Sequence, residues 1–252
     1  MTDVVLLHAL SLHASMWREQ ERALTALGHR VVAVDQRGFG SAPLGDAPPS
    51  LDVVADDLAR ALDARGVGRA VFAGSSMGAY VLMTFLRRHP GRADAVCLLS
   101  ARADADTPEA REQRLRFADA ITAPGMRSAV LAQTTPRLVG ATTRDARPEV
   151  LDRVLADAGA ADPAAVAWAQ RAIAERPDHT DTLRATQVPA LVIAGAEDEL
   201  VTAEESRHTA AALPDGGLVT IEGAGHLQPL EAPDAVTAAL CSLLDRAGVA
   251  AC

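Results

Sequence analysis

The chain has 252 residues, of which 49% are hydrophobic and 23% are charged, so it supports a substantial core in one α/β domain, with or without an insertion, and is not a disordered chain. Its formal net charge of −9 argues against nucleic-acid binding, which requires a basic face. Lysine is absent, and this excludes Schiff-base chemistry on lysine.

The cysteines and the chain start indicate a reducing compartment. Cys97, Cys241 and Cys252 form an odd set without the spacing of a disulfide framework or a zinc site. The segment from Met1 to Val5 lacks the basic flank and long apolar run of a signal peptide, and no apolar run is long enough to span a bilayer. We expect a cytoplasmic protein without membrane association. The lack of lysine and asparagine is typical of a GC-rich bacterial genome, and the sequence makes no prediction of oligomeric state.

In chain order, short apolar strands alternate with amphipathic helices. Strands are predicted at 4–8, 30–35, 71–73, 96–100, 191–194 and 218–221, and helices at 17–27, 51–65, 80–88, 204–213 and 233–246. This alternation is typical of parallel βαβ units with helices on both faces of a sheet. The sequence therefore predicts an α/β fold.

The alternation stops between residues 102 and 186. This segment is helical throughout and is interrupted by prolines, so we expect five or six short helices and no strand. Such helices do not extend a sheet. We therefore expect a helical cap at 102–186, inserted into a core formed by 1–101 and 187–252.

A Gly-x-Ser-x-Gly pattern spans Gly74 to Gly78, between a predicted strand and a predicted helix. In that context the pattern indicates a sharp turn that projects the central serine above the carboxyl edge of a parallel sheet, beside a helix N-terminus. Ser76 is thus the candidate nucleophile. The alternative is an ordinary tight turn.

A serine nucleophile needs a base, and the base needs an orienting carboxylate. His226 follows the last predicted strand in a glycine-containing loop, and Asp198 follows the strand before it. Both positions lie where ligands bind in open α/β sheets. Glu197 and Glu199 are rivals of Asp198 in sequence.

Other histidines are weaker candidates for the base. His29, His89 and His208 lie near helix ends, where surface or capping roles are common, while His13 and His179 lie in the first loop and in the cap. We keep these last two as second choices.

An acyl-transfer site also needs two backbone N–H donors for the developing oxyanion. One is expected from Met77, directly after the candidate nucleophile, and the other from Leu10, in the loop after the first strand. Both contributions come from the main chain, so the side chains remain free to shape a pocket.

These motifs resemble the α/β-hydrolase superfamily, and within it small bacterial carboxylesterases and 3-oxoadipate enol-lactonase-like hydrolases. The similar segments are 6–11 with 16–17, 35–41, 74–78, 195–198 and 223–226, and the order Ser, Asp, His along the chain is that of the superfamily. Ala9 replaces a glycine that is usual in the first loop. Two antiparallel strands that usually open the fold are absent, so the resemblance implies a mostly parallel sheet of about six strands, flanked by helices, with a helical cap.

The leading hypothesis is a serine hydrolase that cleaves a small carboxylic ester, thioester or lactone through an acyl-enzyme, without a cofactor or metal. One alternative is a lyase, cyclase or dehydratase on the same fold, in which His226 is a general base and Ser76 only assists. Another is a non-catalytic protein that binds a small molecule on this scaffold. In every case the expected partner is a small molecule.

Four side chains are candidates for the substrate pocket: His13, Trp17, Arg102 and Trp168. Trp168 has the alternative of packing one cap helix on another, and Arg102 has that of an exposed salt bridge. A further three cap residues fit either a pocket wall or the cap core: Met126, Leu131 and Leu138.

Overall fold

The computed structural model of the protein describes residues 2–248, so Cys252 lies outside the described residues. Within them, six strands form one sheet in the order β2-β1-β3-β4-β5-β6, and all neighbouring strands are parallel. The strands are β1 (Asp3–Leu7), β2 (Arg30–Val34), β3 (Ala70–Ser75), β4 (Ala93–Leu99), β5 (Ala190–Gly195) and β6 (Gly216–Ile221). This confirms the predicted α/β architecture with a parallel sheet of six strands.

Every connection between consecutive strands contains at least one helix. The helices are α1 (Arg18–Ala26), α2 (Leu51–Asp63), α3 (Met77–Arg88), α4 (Pro108–Thr122), α5 (Arg127–Thr134), α6 (Ala141–Ala146), α7 (Pro148–Ala160), α8 (Pro163–Ala174), α9 (Thr180–Arg184), α10 (Ala203–Ala211), α11 (Gln228–Glu231) and α12 (Pro233–Arg246). Two short 3₁₀ helices lie at Ala14–Trp17 and Thr135–Leu138.

Capping residues define where several of these helices begin. The Ser50 hydroxyl accepts from the backbone N–H of Asp52 at the start of α2, and Thr107 precedes a proline at the first position of α4. The four-residue helix α11 was not predicted, because it is shorter than the window in which helical periodicity can be read.

The four central strands of the sheet are largely buried on both faces, as parallel strands usually are, whereas the edge strands β2 and β6 are partly exposed. Because side chains alternate along a strand, Val5 and Leu7 of β1 join Phe72 of β3 in the core against α2 and α3. Val4 and Leu6 face the opposite core, which contains residues of α1 and α12. The helices therefore cover the two faces of the sheet, and loops lie at its carboxyl edge.

The segment 102–186 joins β4 to β5 and contains α4 to α9 with one 3₁₀ helix and no strand. We call this segment the helical insertion. Its most extensive helix contact is between α4 and α8. Of the helices in residues 2–248, none combines the length and the apolar character needed to cross a bilayer.

Candidate active site

Ser76 lies in a strained turn between β3 and α3, with φ 53° and ψ −112°. Two glycines make the turn possible. A Cβ atom on Gly74 would lie 2.4 Å from the carbonyl oxygen of Gly78, and one on Gly78 would lie 2.3 Å from the carbonyl oxygen of Leu7. The backbone N–H of Ser76 donates to the carbonyl of Leu99 at 2.8 Å, which ties the turn to β4.

The structure brings Ser76, His226 and Asp198 together above the carboxyl edge of the sheet. The Nε2 atom of His226 lies 2.8 Å from the Oγ atom of Ser76. On the other side of the ring, Nδ1 lies 3.0 Å and 2.9 Å from the two carboxylate oxygens of Asp198. The His226 and Asp198 side chains are 5% and 2% exposed, so water does not separate them.

Asp198 is held as an ionised acceptor by its surroundings. Its Oδ1 atom accepts from the backbone N–H groups of Leu200 at 2.8 Å and Val201 at 3.1 Å. Burial acts to raise the pKa of this carboxyl, but the His226 imidazole, the Leu200 N–H and the Ser100 hydroxyl together outweigh it, and the pKa lies below its ordinary value. An ionised Asp198 favours the tautomer with the proton on Nδ1 and the Nε2 lone pair facing Ser76.

The two rival carboxylates point elsewhere. Glu197 accepts from the backbone N–H of Thr142 at 2.8 Å, and Glu199 faces Arg137 at 3.3 Å. Neither contact involves His226, so position 198 is the one that geometry assigns to the imidazole.

The loop after β1 carries the predicted oxyanion donor Leu10 and is fixed from below by His8. The Nε2 atom of His8 accepts from the backbone N–H of Gln36 at 2.9 Å, and its Nδ1 atom lies 2.8 Å from the carbonyl oxygen of Ala9. Burial lowers the pKa of His8 to about 4, so the ring is neutral at physiological pH. Sequence reasoning missed this role, although the residue lies directly before the loop.

The second predicted donor, Met77, is the first residue of α3. The first N–H groups of a helix have no acceptor within the helix, so this one is free of intrahelical bonding. Both predicted donors therefore lie on segments that border Ser76, and their role in binding an oxyanion remains a prediction.

A cavity of about 450 Å³ opens above Ser76 and His226. Leu10 and Tyr80 contribute from the sheet side, and helices α4 and α8 contribute from the insertion. A second cavity of similar volume lies between β2 and α2, but it contains none of the predicted catalytic residues. The first cavity is therefore the candidate substrate site.

Arginine is the main charged residue of the cavity wall. Arg102, Arg114 and Arg137 line it, together with one carboxylate, Glu199. Arg102 also pairs with Glu205 at 2.7 Å. It therefore lines the pocket as predicted, and its salt bridge is partly buried rather than exposed. Burial acts to lower the pKa of Arg102, but the contacts with Tyr80 and Glu205 outweigh it and keep the guanidinium charged.

Three of the predicted pocket residues do not line this cavity. Trp17 is fully buried in the core beside α1, where its large apolar ring fills space beneath the sheet. His13 faces Asp157 at 3.6 Å, and the Nε1 atom of Trp168 donates to the carbonyl of Ala47 at 2.8 Å.

The cap residues left open between pocket and core divide among three environments. Leu138 lines the cavity, Leu131 packs partly buried against the core, and Met126 is 48% exposed. The second-choice histidine His179 is buried beside Thr84, away from the cavity lining. The thiol of Cys97 is buried, and burial raises its pKa.

Several cavity residues were not predicted. Tyr80 lies four residues after Ser76 on α3, so helical periodicity would have placed it on the same face. Arg114 and Gln170 come from α4 and α8, and no local signal relates them to Ser76. Across residues 2–248, no group of three or more His, Cys, Asp or Glu side chains is arranged to hold a metal ion.

Comparison with known proteins agrees with the fold. The family profile of the alpha/beta hydrolase fold matches residues 3–233. Epoxide hydrolase A of Mycobacterium tuberculosis is 30% identical over 291 residues, which cover 96% of this chain and 89% of that protein.

Solved structures are similar over nearly the whole chain. A thermophilic esterase from Thermogutta terrifontis, solved with malate bound, is 35% identical with a TM-score of 0.93, and the match covers 98% of this chain and 90% of that one. The enol-lactonase from Burkholderia xenovorans LB400 is 27% identical with a TM-score of 0.87, covering 97% and 91%.

Proposed function

The chain belongs to the α/β-hydrolase fold family, and from this premise we propose that it is a serine hydrolase of small carboxylic esters, thioesters or lactones. Family membership confirms the resemblance seen in the sequence motifs. The observation that carries the proposal is the 2.8 Å contact between His226 Nε2 and Ser76 Oγ, with Asp198 on the opposite side of the ring.

In the first half of the reaction, His226 Nε2 takes the proton of Ser76 as Oγ forms a bond to the substrate carbonyl carbon. The negative charge that develops on the carbonyl oxygen is met by the backbone N–H groups of Leu10 and Met77. The bond to the leaving oxygen or sulfur then breaks, and His226 returns the proton to that atom. An acyl group remains on Ser76.

In the second half, His226 takes a proton from water while the water oxygen attacks the acyl carbon. The bond to Oγ breaks, the proton returns to Ser76, and a carboxylic acid leaves. With a lactone, the alcohol released in the first half stays attached to the acyl chain. Asp198 stabilises the imidazolium in both halves and does not itself take the proton.

The charge of the cavity wall favours a substrate that carries a carboxylate. Tyr80 lies one helical turn, about 6 Å along the axis, from Ser76. Arg102 contacts this tyrosine and lines the same cavity. A carboxylate a few bonds from the scissile carbonyl would therefore reach a guanidinium. The malate bound in the Thermogutta terrifontis esterase is a small dicarboxylate and supports this size and charge.

A serine-directed fluorophosphonate probe tests the reaction class. We expect labelling of the wild type and of Ser75→Ala, but not of Ser76→Ala. Ser75 is the matched control, because its buried hydroxyl has no hydrogen-bond partner among the described residues. The same proteins should be assayed with short p-nitrophenyl esters and simple lactones, and the acyl-enzyme trapped for mass spectrometry.

Labelling that persists in Ser76→Ala would show that the nucleophile is another residue. A folded wild type that neither reacts with the probe nor hydrolyses any of these compounds would favour the lyase or the binding protein instead.

A further inference from the structure

Glu231 is a buried carboxylate with an unusual set of partners. It ends α11, is 3% exposed, and its two oxygens accept three backbone N–H groups. These come from Gly225 at 2.9 Å, Leu227 at 2.9 Å and Gly140 at 2.8 Å. Burying a carboxylate is costly unless hydrogen bonds replace its water, and charge-assisted bonds to N–H groups are among the strong ones. The three hydrogen bonds therefore hold the donor segments together at this carboxylate.

Two of the three donors flank the candidate base. Gly225 and Leu227 are the residues directly before and after His226. Because one carboxylate holds both neighbouring peptide groups, it restricts the backbone from which the imidazole projects. Small misplacement of a reacting group, of about 1 Å, can cost about 100-fold in rate.

The third donor, Gly140, belongs to the helical insertion. It reaches the Glu231 carboxylate because glycines allow the two backbones to approach closely. A Cβ atom on Gly225 would lie 2.4 Å from the backbone nitrogen of Gly140. A Cβ atom on Gly195, at the end of β5, would lie 2.0 Å from the carbonyl oxygen of Gly225. Three chain segments thus stack here: the insertion, the loop of His226 and the strand that leads to Asp198.

We propose that Glu231 is a positioning residue that acts through His226. Its carboxylate fixes the position of the imidazole between Ser76 and Asp198, and it connects the loop of His226 to the helical insertion. The activity part of this inference depends on the proposed hydrolase function, whereas the geometric part does not. A glutamine at this position would keep one acceptor oxygen. If that oxygen kept the two N–H groups on Oε2, its NH₂ group would face the N–H of Leu227, which is the residue next to His226.

The test compares Glu231→Gln with Glu222→Gln. The control makes the same change on an exposed side chain just before the same loop. The first readout is the proton NMR signal of the Nδ1–H between His226 and Asp198, assigned by its loss in His226→Ala. We expect this downfield signal to move and broaden in Glu231→Gln and to stay unchanged in the control.

The second readout separates kcat from KM with a small p-nitrophenyl ester. Because Glu231 does not line the cavity, we expect kcat of Glu231→Gln to fall by about 10- to 100-fold while KM stays within about threefold. The conservative variant Glu231→Asp keeps the charge on a shorter side chain, and we expect a smaller loss of kcat, of about threefold or more.

A Glu231→Gln protein with lower thermal stability but an unchanged NMR signal and kcat would overturn the proposal, since the carboxylate would then only support the fold. If Glu231→Gln does not fold, an Asp variant with the wild-type signal and kcat would overturn it equally. If the wild type hydrolyses no ester, the NMR comparison decides the positioning role alone, so failure of the proposed function stays distinguishable.

Discussion

The loops at the carboxyl edge of the sheet and the helical insertion face each other across one cavity, yet they hold their side chains by different means. At the sheet edge, Asp198 and His226 are almost fully buried and are joined by hydrogen bonds of 2.9 Å and 3.0 Å. In the insertion, helix α5 buries none of its residues, and Arg137 reaches Glu199 through an exposed ion pair. Exposed ion pairs contribute about 0–1 kcal/mol.

This difference indicates a division of labour. The sheet edge carries the groups whose positions the chemistry requires within fractions of an ångström. We propose that the exposed side chains of the insertion at the cavity wall, such as Arg137, contact the substrate and tolerate adjustment. Substitutions at the edge should therefore abolish turnover of every substrate, whereas substitutions in the insertion should change the preference among substrates.

The largest effect is expected at the carboxylate that orients His226. Asp198→Asn should lower kcat by about 10³- to 10⁴-fold, because an amide favours the wrong imidazole tautomer. Steady-state kinetics with a small ester measures this loss. Glu197→Gln is the control, because Glu197 contacts Thr142 and does not line the cavity, and its kcat should stay within about threefold. The reverse pattern would assign the orienting role to Glu197.

The stacked glycines give the next largest effect. Gly195→Ala places a Cβ atom 2.0 Å from the carbonyl oxygen of Gly225, so the loop of His226 must move. We expect kcat to fall by about 100-fold together with a lower melting temperature. Gly159→Ala in α7 meets no atom within 4 Å and should be neutral or stabilising by about 0.5–1 kcal/mol. Equal kcat and melting temperature in the two variants would contradict the close contact between Gly195 and the loop of His226.

The third prediction concerns the pH dependence of stability beneath the first loop. The pKa of His8 is lowered from 6.5 to about 4 in the folded chain, so the unfolded state binds a proton between these values that the native state does not. Stability should fall as the pH drops from 6.5 towards 4, by about 2 kcal/mol at pH 5 from this residue.

Denaturant unfolding at pH 7.5 and pH 5 measures this loss. In His8→Gln the decrease should be smaller by about that amount, whereas His208→Gln, which changes a histidine that is more than half exposed, should keep the wild-type decrease. Identical decreases in all three proteins would show that His8 is protonated in the folded state.

The smallest expected effect lies at the start of the insertion. Arg102→Gln should lower kcat/KM for an ester with a carboxylate on its acyl chain by about 10-fold, the loss of one charged contact of about 1.4 kcal/mol. The neutral ester of the same length should change by less than about twofold. Arg116→Gln on α4, which removes an exposed arginine paired with Glu112, is the control. Equal losses on both esters would contradict a carboxylate subsite.

The sequence predicted those parts of the molecule in which local pattern and geometry agree. Strand ends, the Gly-x-Ser-x-Gly turn and the loops of Asp198 and His226 each carry a signal that is complete within a few residues. Because parallel strands end at one edge of a sheet, three such signals from distant positions were expected to meet, and the structure brings them together.

The helical insertion followed a different rule. Its boundaries at 102 and 186 remain a prediction from the loss of strand alternation. Trp168 on α8 and His13 in the loop after β1 were expected in the pocket, but they bond to Ala47 and pair with Asp157 instead. Which face of a short helix meets the cavity depends on how the helices pack on one another, and periodicity alone does not contain that information.

The sequence by itself determined the fold family, the six-stranded sheet and the positions of Ser76, Asp198 and His226 in the segments that follow strands. The reason is that the spacing of apolar residues, glycines and polar loop residues encodes local backbone geometry. Only the tertiary structure decided that Arg114 and Arg137 join Arg102 in the cavity wall, and that Glu231 joins the His226 loop to the insertion. Those contacts link residues far apart in the chain, and they follow from how helices and loops pack in space.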